Sequence, residues 1–356
     1  MKILQIVGNS YRIGSGIYSI LNPLVEKLNE KGIETNVLYT GSKPLDTPLK
    51  LVFQYGKDFT DSDFDKYSLV VFHGIYYINY IKLAKILRAK KINYIIKPHS
   101  SLMKASFRKH GIRKLVYLLV FFKFFNKAKG IIYTNKDEES NSYKFLNKNR
   151  FVEMNGIELV PKTMPEYKKN DEVLRLFFLS RIDISHKGVD ILLNGIERIL
   201  SLLEQENCVI SFYGNGYPKG MEYFQTRMKK LNSKNVIFRG SIFGEEKEKM
   251  YASSDIFLLT SRYEGFPTVL SETLMYGIPS VITKGTNGKF IADSKAGWFA
   301  RSSKSADVAD AIKTSILEYK KDPLYYRNNA RILAEKTFDI NITIEKTIEL
   351  YTLLTK

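Results

Sequence analysis

Short apolar runs alternate with segments of helical periodicity along nearly the whole chain, the pattern that parallel α/β units produce. In the first half the spacing predicts strands over 2–7, 35–38, 69–72, 94–96 and 131–134. Helices are predicted over 15–30, stopping at Gly32, and near 78–89. The alternation then starts again. Strands are predicted over 174–179, 209–213, 236–238, 256–260 and 280–283. Helices are predicted over 189–203, 221–231, 306–320, 323–335 and 340–354, with one more running from Thr268 to a stop at Gly277. Between the two series lies a polar, proline-containing stretch, 158–173, that reads as a linker.

The fold class expected is therefore α/β, two Rossmann-like domains. Two open parallel sheets that face one another place a cleft at the carboxyl ends of their strands, so the loops after strands should carry the chemistry. A length of 356 residues suits two domains of ordinary size.

Charge changes this picture in one region. The formal net charge is +18. No acidic residue stands between Asp65 and Asp137, and the window 66–136 holds sixteen Lys and Arg. Such a patch attracts an anionic surface or a polyanion. Within it, 104–129 mixes basic residues with the nearly all-apolar run 116–125. Ten apolar positions are too few to span a bilayer, but they can lie in its interface; the alternative is a helix facing the core with a basic outer face. No 18-residue apolar stretch and no basic-then-apolar leader is present, which argues against a transmembrane helix and a signal peptide. Cys208 is the single cysteine, so an internal disulfide and a multi-cysteine metal site are excluded, and a cytoplasmic setting is expected.

The most informative segment is 261–283, SRYEGFPTVLSETLMYGIPSVIT. A strand leads into a loop, and a helix begins near Thr268 and is stopped by Gly277 and Pro279. The start of such a helix offers unpaired N–H groups and a positive dipole end, a site for phosphate. Glu264 precedes that site and Glu272 lies inside the helix, eight positions on. Two carboxylates do not cradle a phosphate, but they accept hydrogen bonds from hydroxyls. An anion pocket flanked by two such acceptors is what a nucleotide diphosphate sugar requires.

This segment resembles the E-x7-E signature of retaining family 4 glycosyltransferases of the GT-B fold. Gly265, Phe266 and Pro267 follow the first Glu, and Gly277, Ile278 and Pro279 follow the second. The resemblance implies that Glu264 meets the donor sugar and Glu272 the ribose, and that Gly265, Phe266, Pro267 and Thr268 line the donor. Phe178-Leu179-Ser180-Arg181 with His186-Lys187-Gly188 resembles the family's strand, Arg and Lys-Gly element, which makes Arg181 and Lys187 the clamp on the donor diphosphate. Ser180 stands where Gly is usual. Gly214 and Asn215 match a Gly-x-Gly turn toward the base, and Ser241 a strand–loop that packs on it. Asn155-Gly156-Ile157 matches the turn that ends the first domain. The resemblance implies an acceptor-side domain at 1–160, a nucleotide-sugar-binding domain at 161–337, and a last helix, 338–356, packed back on the first.

In the first domain the match is looser. Gly14-Ser15-Gly16 opens a helix after strand one, with Gly16 on the donor side. Pro98-His99-Ser100 resembles a Pro-His-Gly loop, which puts His99 at the donor sugar and Ser100 beside the acceptor. His73, at a strand end, is a further acceptor-side candidate. His110 and His186 read as surface residues, and Glu139 as a helix-start acid of unassigned role. Asp61-Ser62-Asp63 is a D-x-D lying ahead of a strand and reads as a solvated acidic loop, so no metal is expected.

The expected activity is metal-independent transfer of a hexosyl group, with retention, from a nucleotide diphosphate sugar to a hydroxyl of a glycan or polyprenyl-diphosphate-linked acceptor in cell-surface polysaccharide assembly. A UDP-sugar is the first choice as substrate, and no cofactor is expected. The expected partners are these substrates and an anionic membrane surface met through 82–129, peripherally on its inner face; no nucleic acid is expected. A sugar phosphorylase would need a cofactor lysine and a longer chain. A nucleotide-sugar epimerase of GT-B architecture needs no acceptor. A basic nucleic-acid binder would show salt-dependent binding and no affinity for nucleotide sugars.

Overall fold

The structure is a computed structural model that describes residues 1–12, 15–43, 45, 51–107, 111–158 and 172–356. The expected linker falls mostly, and Gly14 and His110 fall wholly, outside the described residues. The chain divides into two compact units, Met1–Glu158 with Thr337–Lys356, and Leu159–Lys336.

Among the described residues, the first unit holds a seven-stranded parallel sheet: β1 (Lys2–Val7), β2 (Glu34–Tyr39), β3 (Val52–Gln54), β4 (Leu69–His73), β5 (Asn93–Lys97), β6 (Gly130–Tyr133) and β7 (Arg150–Val152). Their order is β3-β2-β1-β4-β5-β6-β7. The second unit holds six strands: β8 (Leu174–Leu179), β9 (Cys208–Tyr213), β10 (Val236–Gly240), β11 (Ile256–Leu259), β12 (Ser280–Ile282) and β13 (Gly297–Phe299). Their order is β10-β9-β8-β11-β12-β13. In both sheets the chain starts in the middle, winds to one edge, then returns to the centre and winds to the other. This is the doubly wound order whose reversal point marks a ligand site at the strand ends.

Strand alternation explains why each sheet is buried on both faces. Leu4, Ile6, Val70, Phe72, Tyr94 and Ile96 point to one side of the first sheet, onto Tyr80, Leu83 and Leu87 of the helix Asn79–Ala89. Ile3, Leu69, Val71 and Ile95 point to the other, onto Leu28 of the helix Gly16–Glu30 and onto Ile344, Tyr351 and Leu354 of the helix Ile340–Thr355. The last helix thus belongs to the core of the first unit.

The differences from expectation have local causes. The edge strands β3, β7 and β13 are three residues each, too short to show a period. The helix Gly244–Ala252 buries only Met250 and Tyr251, so its charged sequence carries no apolar stripe. The single helix expected over 189–203 is two, Val189–Glu197 and Leu200–Gln205. Arg198 and Ile199 donate to the carbonyls three residues back, which tightens the turn and ends the first segment.

Candidate functional site

The densest cluster of charge chemistry lies at the strand ends of the second unit. After β8 the chain passes the buried Ile182, and Asp183 caps the short helix Ile184–Lys187 by accepting from the His186 amide at 2.9 Å. Gly188 then takes φ +64, with its α-carbon so close to the Thr260 carbonyl that a side chain would collide. That turn aims Lys187 at the loop after β11, where its ammonium pairs with Glu264.

Glu264 is 6% exposed and surrounded by donors. Besides Lys187, its Oε1 accepts the Ser261 hydroxyl at 2.7 Å, and its Oε2 lies 3.5 Å from His186 Nε2. Burial alone would raise its pKa, but the Lys187 ammonium and His186 outweigh that and hold the carboxyl well below the usual range. Arg181 stands at the solvent side of the cluster. Its guanidinium is 3.2 Å from His186 Nδ1, 3.6 Å from Asp183, and over the Tyr217 ring at 5.4 Å. Arginine can only donate, so Nδ1 of His186 accepts and the ring proton sits on Nε2, toward Glu264. His186 therefore lies between Arg181 and Glu264, and its ring stacks on Tyr263 at 4.5 Å. The reading of His186 as a surface residue is corrected: the bend made by Asp183 turns the imidazole inward.

The loop that carries Glu264 is pinned from three sides. Arg262 makes a bidentate pair with Asp190 at 2.8 Å, Thr283 donates to the Ser261 carbonyl at 2.9 Å, and Asn287 donates to the carbonyls of Glu264 and Gly265. Phe266 stacks on Phe290 at 5.8 Å. Pro267 then begins the helix Thr268–Met275, and no side chain caps that start. Its first amide groups and the positive end of its dipole remain available to an anion.

Glu272, on the same helix, is apart from the Lys187 cluster. Its Oε2 accepts from Lys247 at 2.6 Å and from the Tyr251 hydroxyl at 2.7 Å. Gly214 has φ +136 and lies hard against the Ser180 carbonyl, which leaves no room for a side chain. Asn215 is exposed and accepts from the Gly216 amide, and Ser241 is exposed just after β10. Lys247 and Tyr251 were not legible as site residues, because each acquires its role from Glu272, more than twenty residues along the chain.

The first unit brings a second set together. His73, at the end of β4, is 2% exposed, and its Nδ1 lies 2.9 Å from His99 Nε2. His99 and Ser100 follow β5 with φ +48 and +64, two successive non-glycine residues in left-handed backbone. The loop is held there by Glu138, which accepts from the Ser100 amide and from the Thr134 amide and hydroxyl. Glu138 is fully buried, and burial raises its carboxyl pKa. The helix-start acid that matters here is thus Glu138, not Glu139, which pairs with Arg150 at 2.9 Å; one residue of helix phase turns the one inward and the other to the surface. Gly16 opens the helix Gly16–Glu30, capped by Ser15. Asp61 and Asp63 lie in a 3-10 turn capped by Thr60, where Asp63 pairs with Lys66 at 2.6 Å. Among the described residues no group of His, Cys, Asp and Glu is arranged to hold a metal ion.

Residues 174–317 match the family model described as "Glycosyl transferases group 1". A glycogen synthase of Petrotoga mobilis is 27% identical over 190 residues, 51% of this chain and 38% of that protein. The matched stretch spans between 32% and 43% of the first three curated relatives. Among solved structures, HepE of Anabaena in complex with UDP superposes with a TM-score of 0.76 at 17% identity, covering 99% of this chain and 100% of that one. Sucrose-phosphate synthase from Thermosynechococcus elongatus does so with a TM-score of 0.75 at 15% identity, covering 99% of each. The chain has the GT-B fold, and its match to group 1 glycosyl transferases lies on the β8–β13 unit that carries Lys187, Glu264 and Glu272.

Proposed function

We propose that the protein transfers a hexosyl group from a nucleotide diphosphate sugar to an acceptor hydroxyl, with retention and without a metal; the match of residues 174–317 to the group 1 glycosyl transferase model supports this. The observation that carries this is the arrangement of Arg181, His186, Lys187 and Glu264 in one unit with the uncapped start of the helix Thr268–Met275. A departing diphosphate needs fixed positive charge, and two cations with a helix start supply it. Glu264 and Glu272 then accept from sugar and ribose hydroxyls. The ion pair between Lys187 and Glu264 makes these roles compatible: each keeps the other charged and oriented until the donor arrives. HepE, a solved structure of the same fold, binds UDP and UDP-glucose, which supports a UDP-sugar as the first donor to try.

A thermal-shift panel of UDP-, GDP- and dTDP-sugars, run with and without EDTA, tests this. One nucleotide class should raise Tm by several degrees, since saturation at a hundredfold over Kd adds about 2.7 kcal/mol. EDTA should leave shift and turnover unchanged. A flat panel would remove the proposal.

The acceptor reading rests on a surface of the first unit. In the helices Gly111–Val120 and Phe122–Asn126, Leu118, Phe124 and Phe125 are core residues, as is Phe121 between the two. Val116, Leu119, Val120 and Phe122 are instead exposed, at 54%, 70%, 60% and 41%, beside the exposed Lys123 and Lys127. The run 116–125 thus divides between the two roles weighed for it. Apolar side chains flanked by lysines suit an anionic membrane interface, and hence a lipid-linked acceptor used in polysaccharide assembly. No helix among the described residues is long and apolar enough to cross a membrane. Flotation with vesicles containing phosphatidylglycerol should recover the protein at low salt, with less recovered as salt rises. Leu119→Glu with Val120→Glu should abolish flotation and leave turnover on a soluble acceptor intact. Binding that is indifferent to both changes would discard the membrane reading.

A further inference from the structure

One buried polar chain in the first unit is not used by the donor chemistry above. Strand alternation places Gln5, His73 and Lys97 on the face of the first sheet that the last helix covers, level with Ile3, Val71 and Ile95. Gln5 is fully buried and His73 is 2% exposed. Polar groups in such a place are costly unless they are hydrogen-bonded. These are bonded in series. His73 Nε2 lies 2.8 Å from Gln5 Oε1, and His73 Nδ1 lies 2.9 Å from His99 Nε2. Beyond this series, Gln5 Nε2 and the Tyr351 hydroxyl of the last helix are buried without a hydrogen-bond partner among the described residues, and the Lys97 ammonium lies over the Tyr351 ring at 5.4 Å. Lys97 is in turn bound to Glu153 at 3.0 Å, and Glu153 accepts from Thr347 of the same helix at 2.6 Å.

The chemistry of the atoms gives this series a direction. A carbonyl oxygen can only accept, so His73 Nε2 must carry a proton to meet Gln5 Oε1. A neutral imidazole has one N–H, so His73 Nδ1 is then the acceptor. His99 Nε2 must donate to it, and His99 Nδ1 is left with a lone pair. Both rings stay neutral: burial comes first, and the Lys97 ammonium disfavours further positive charge, so that His99 titrates only at about 3. No described residue donates to His99 Nδ1, and this nitrogen is not among the buried atoms. The left-handed backbone of His99 and Ser100, clamped by Glu138, fixes the ring's position as the series fixes its proton.

The geometry points to a directed hydrogen-bond relay from His99 through His73 to Gln5, which locks His99 as the Nε2–H tautomer and presents its Nδ1 as an acceptor for a ligand hydroxyl. Gln5 and His73 are positioning residues; His99 is the group that meets the ligand. That the hydroxyl belongs to a sugar rests on the transferase reading, but the position of the proton does not. The relay also gives Gln5, a polar residue among Ile3, Leu4, Ile6 and Val7, a reason to be there.

The test uses the full chain labelled with 15N at histidine. There are four histidines, so single replacements assign the signals. Two-bond 15N–1H correlations at neutral pH should show both His73 and His99 neutral and protonated at Nε2. Gln5→Met removes the acceptor at the far end. His73 should then move its proton to Nδ1 and donate to His99 Nε2, so that His99 switches to the Nδ1–H form without having been touched. With the switch, kcat/KM should fall about tenfold, the scale of one lost hydrogen bond. A wild-type His99 protonated at Nδ1 or charged overturns the relay, and this spectrum decides even if Gln5→Met does not fold. A folded Gln5→Met variant with an unchanged His99 tautomer overturns it too, since a merely structural Gln5 would shift Tm but not a distant proton. A correct tautomer together with no turnover of any nucleotide sugar would instead leave the relay standing and remove the transferase reading.

Discussion

Lys187→Met should lower turnover by at least about a hundredfold and also destabilise the fold. The ammonium and the Glu264 carboxylate have side-chain exposures of 12% and 8%, so neither is well hydrated. Removing one partner of a buried pair leaves the other uncompensated, at a cost of about 3–5 kcal/mol. Here the Ser261 hydroxyl and the His186 ring remain and should soften it. The double variant Lys187→Met with Glu264→Gln separates the two effects. It removes both charges, so most of the stability should return, while turnover stays lost because the cation for the leaving diphosphate is gone. Chemical denaturation with initial rates at saturating donor reads both; recovery of turnover in the double variant would show that the pair is only a scaffold. The pair also has a pH signature. The folded pKa of Glu264 lies below its unfolded value near 4.5. Its stabilisation is therefore fully present above that value and drains away as pH falls below it. Glu264→Gln should flatten the stability profile in that acid range, and an unchanged slope would contradict the pairing.

Arg181→Ala and Glu272→Ala should each strongly impair transfer, the first through kcat and the second chiefly through KM, and leave the fold intact. Arg181 is 43% exposed, and its pairing with Asp183 at 3.6 Å is of the kind that adds less than about 1 kcal/mol. Its loss should scarcely move Tm. A donor aimed at developing charge is worth about 10²–10³ in kcat, so the deficit should appear in kcat even when the donor saturates. Glu272 differs. It is bound by Lys247 and by the buried Tyr251 hydroxyl, and its truncation leaves that hydroxyl without a partner, at a cost of about 1–3 kcal/mol. Its contact with ribose hydroxyls is made in the ground state as well as the transition state, so the KM for the nucleotide sugar should rise most. Glu272→Gln keeps one acceptor oxygen and should be milder in both respects. Near-normal rates in Arg181→Ala or Glu272→Ala would overturn the assignment of the site.

How much of this was legible in the linear chain depends on the range of the interaction. The E-x7-E spacing, the Gly277–Pro279 stop and the glycines at 188 and 214 are local signals. A helix start, a helix stop or a backbone held at positive φ is specified within a few residues, so these positions could be read off directly. His186 was misread for the converse reason. Nothing in its neighbours along the chain says that Asp183 turns it toward Glu264, which lies 78 residues further on. Glu138 and Glu139 show the same limit at finer scale. Both are helix-start acids, and only the packing of the helix Lys136–Asn141 against β6 and the loop at Ser100 decides which one faces inward.

The periodicity of apolar residues was by itself enough to determine two series of parallel α/β units, because alternation and helical spacing are properties of consecutive residues; their strand order is tertiary. It also placed the candidate donor residues on loops after strands. Only the tertiary structure decided the partners: that Lys187 meets Glu264, that Glu272 is shared by Lys247 and Tyr251, and that Gln5, His73 and His99 form one line of hydrogen bonds. Each of these joins groups separated by tens of residues, and their energies depend on burial and on distances of a few ångströms. Such quantities arise when strands align and helices pack, and the local pattern that selects a strand or a helix does not contain them.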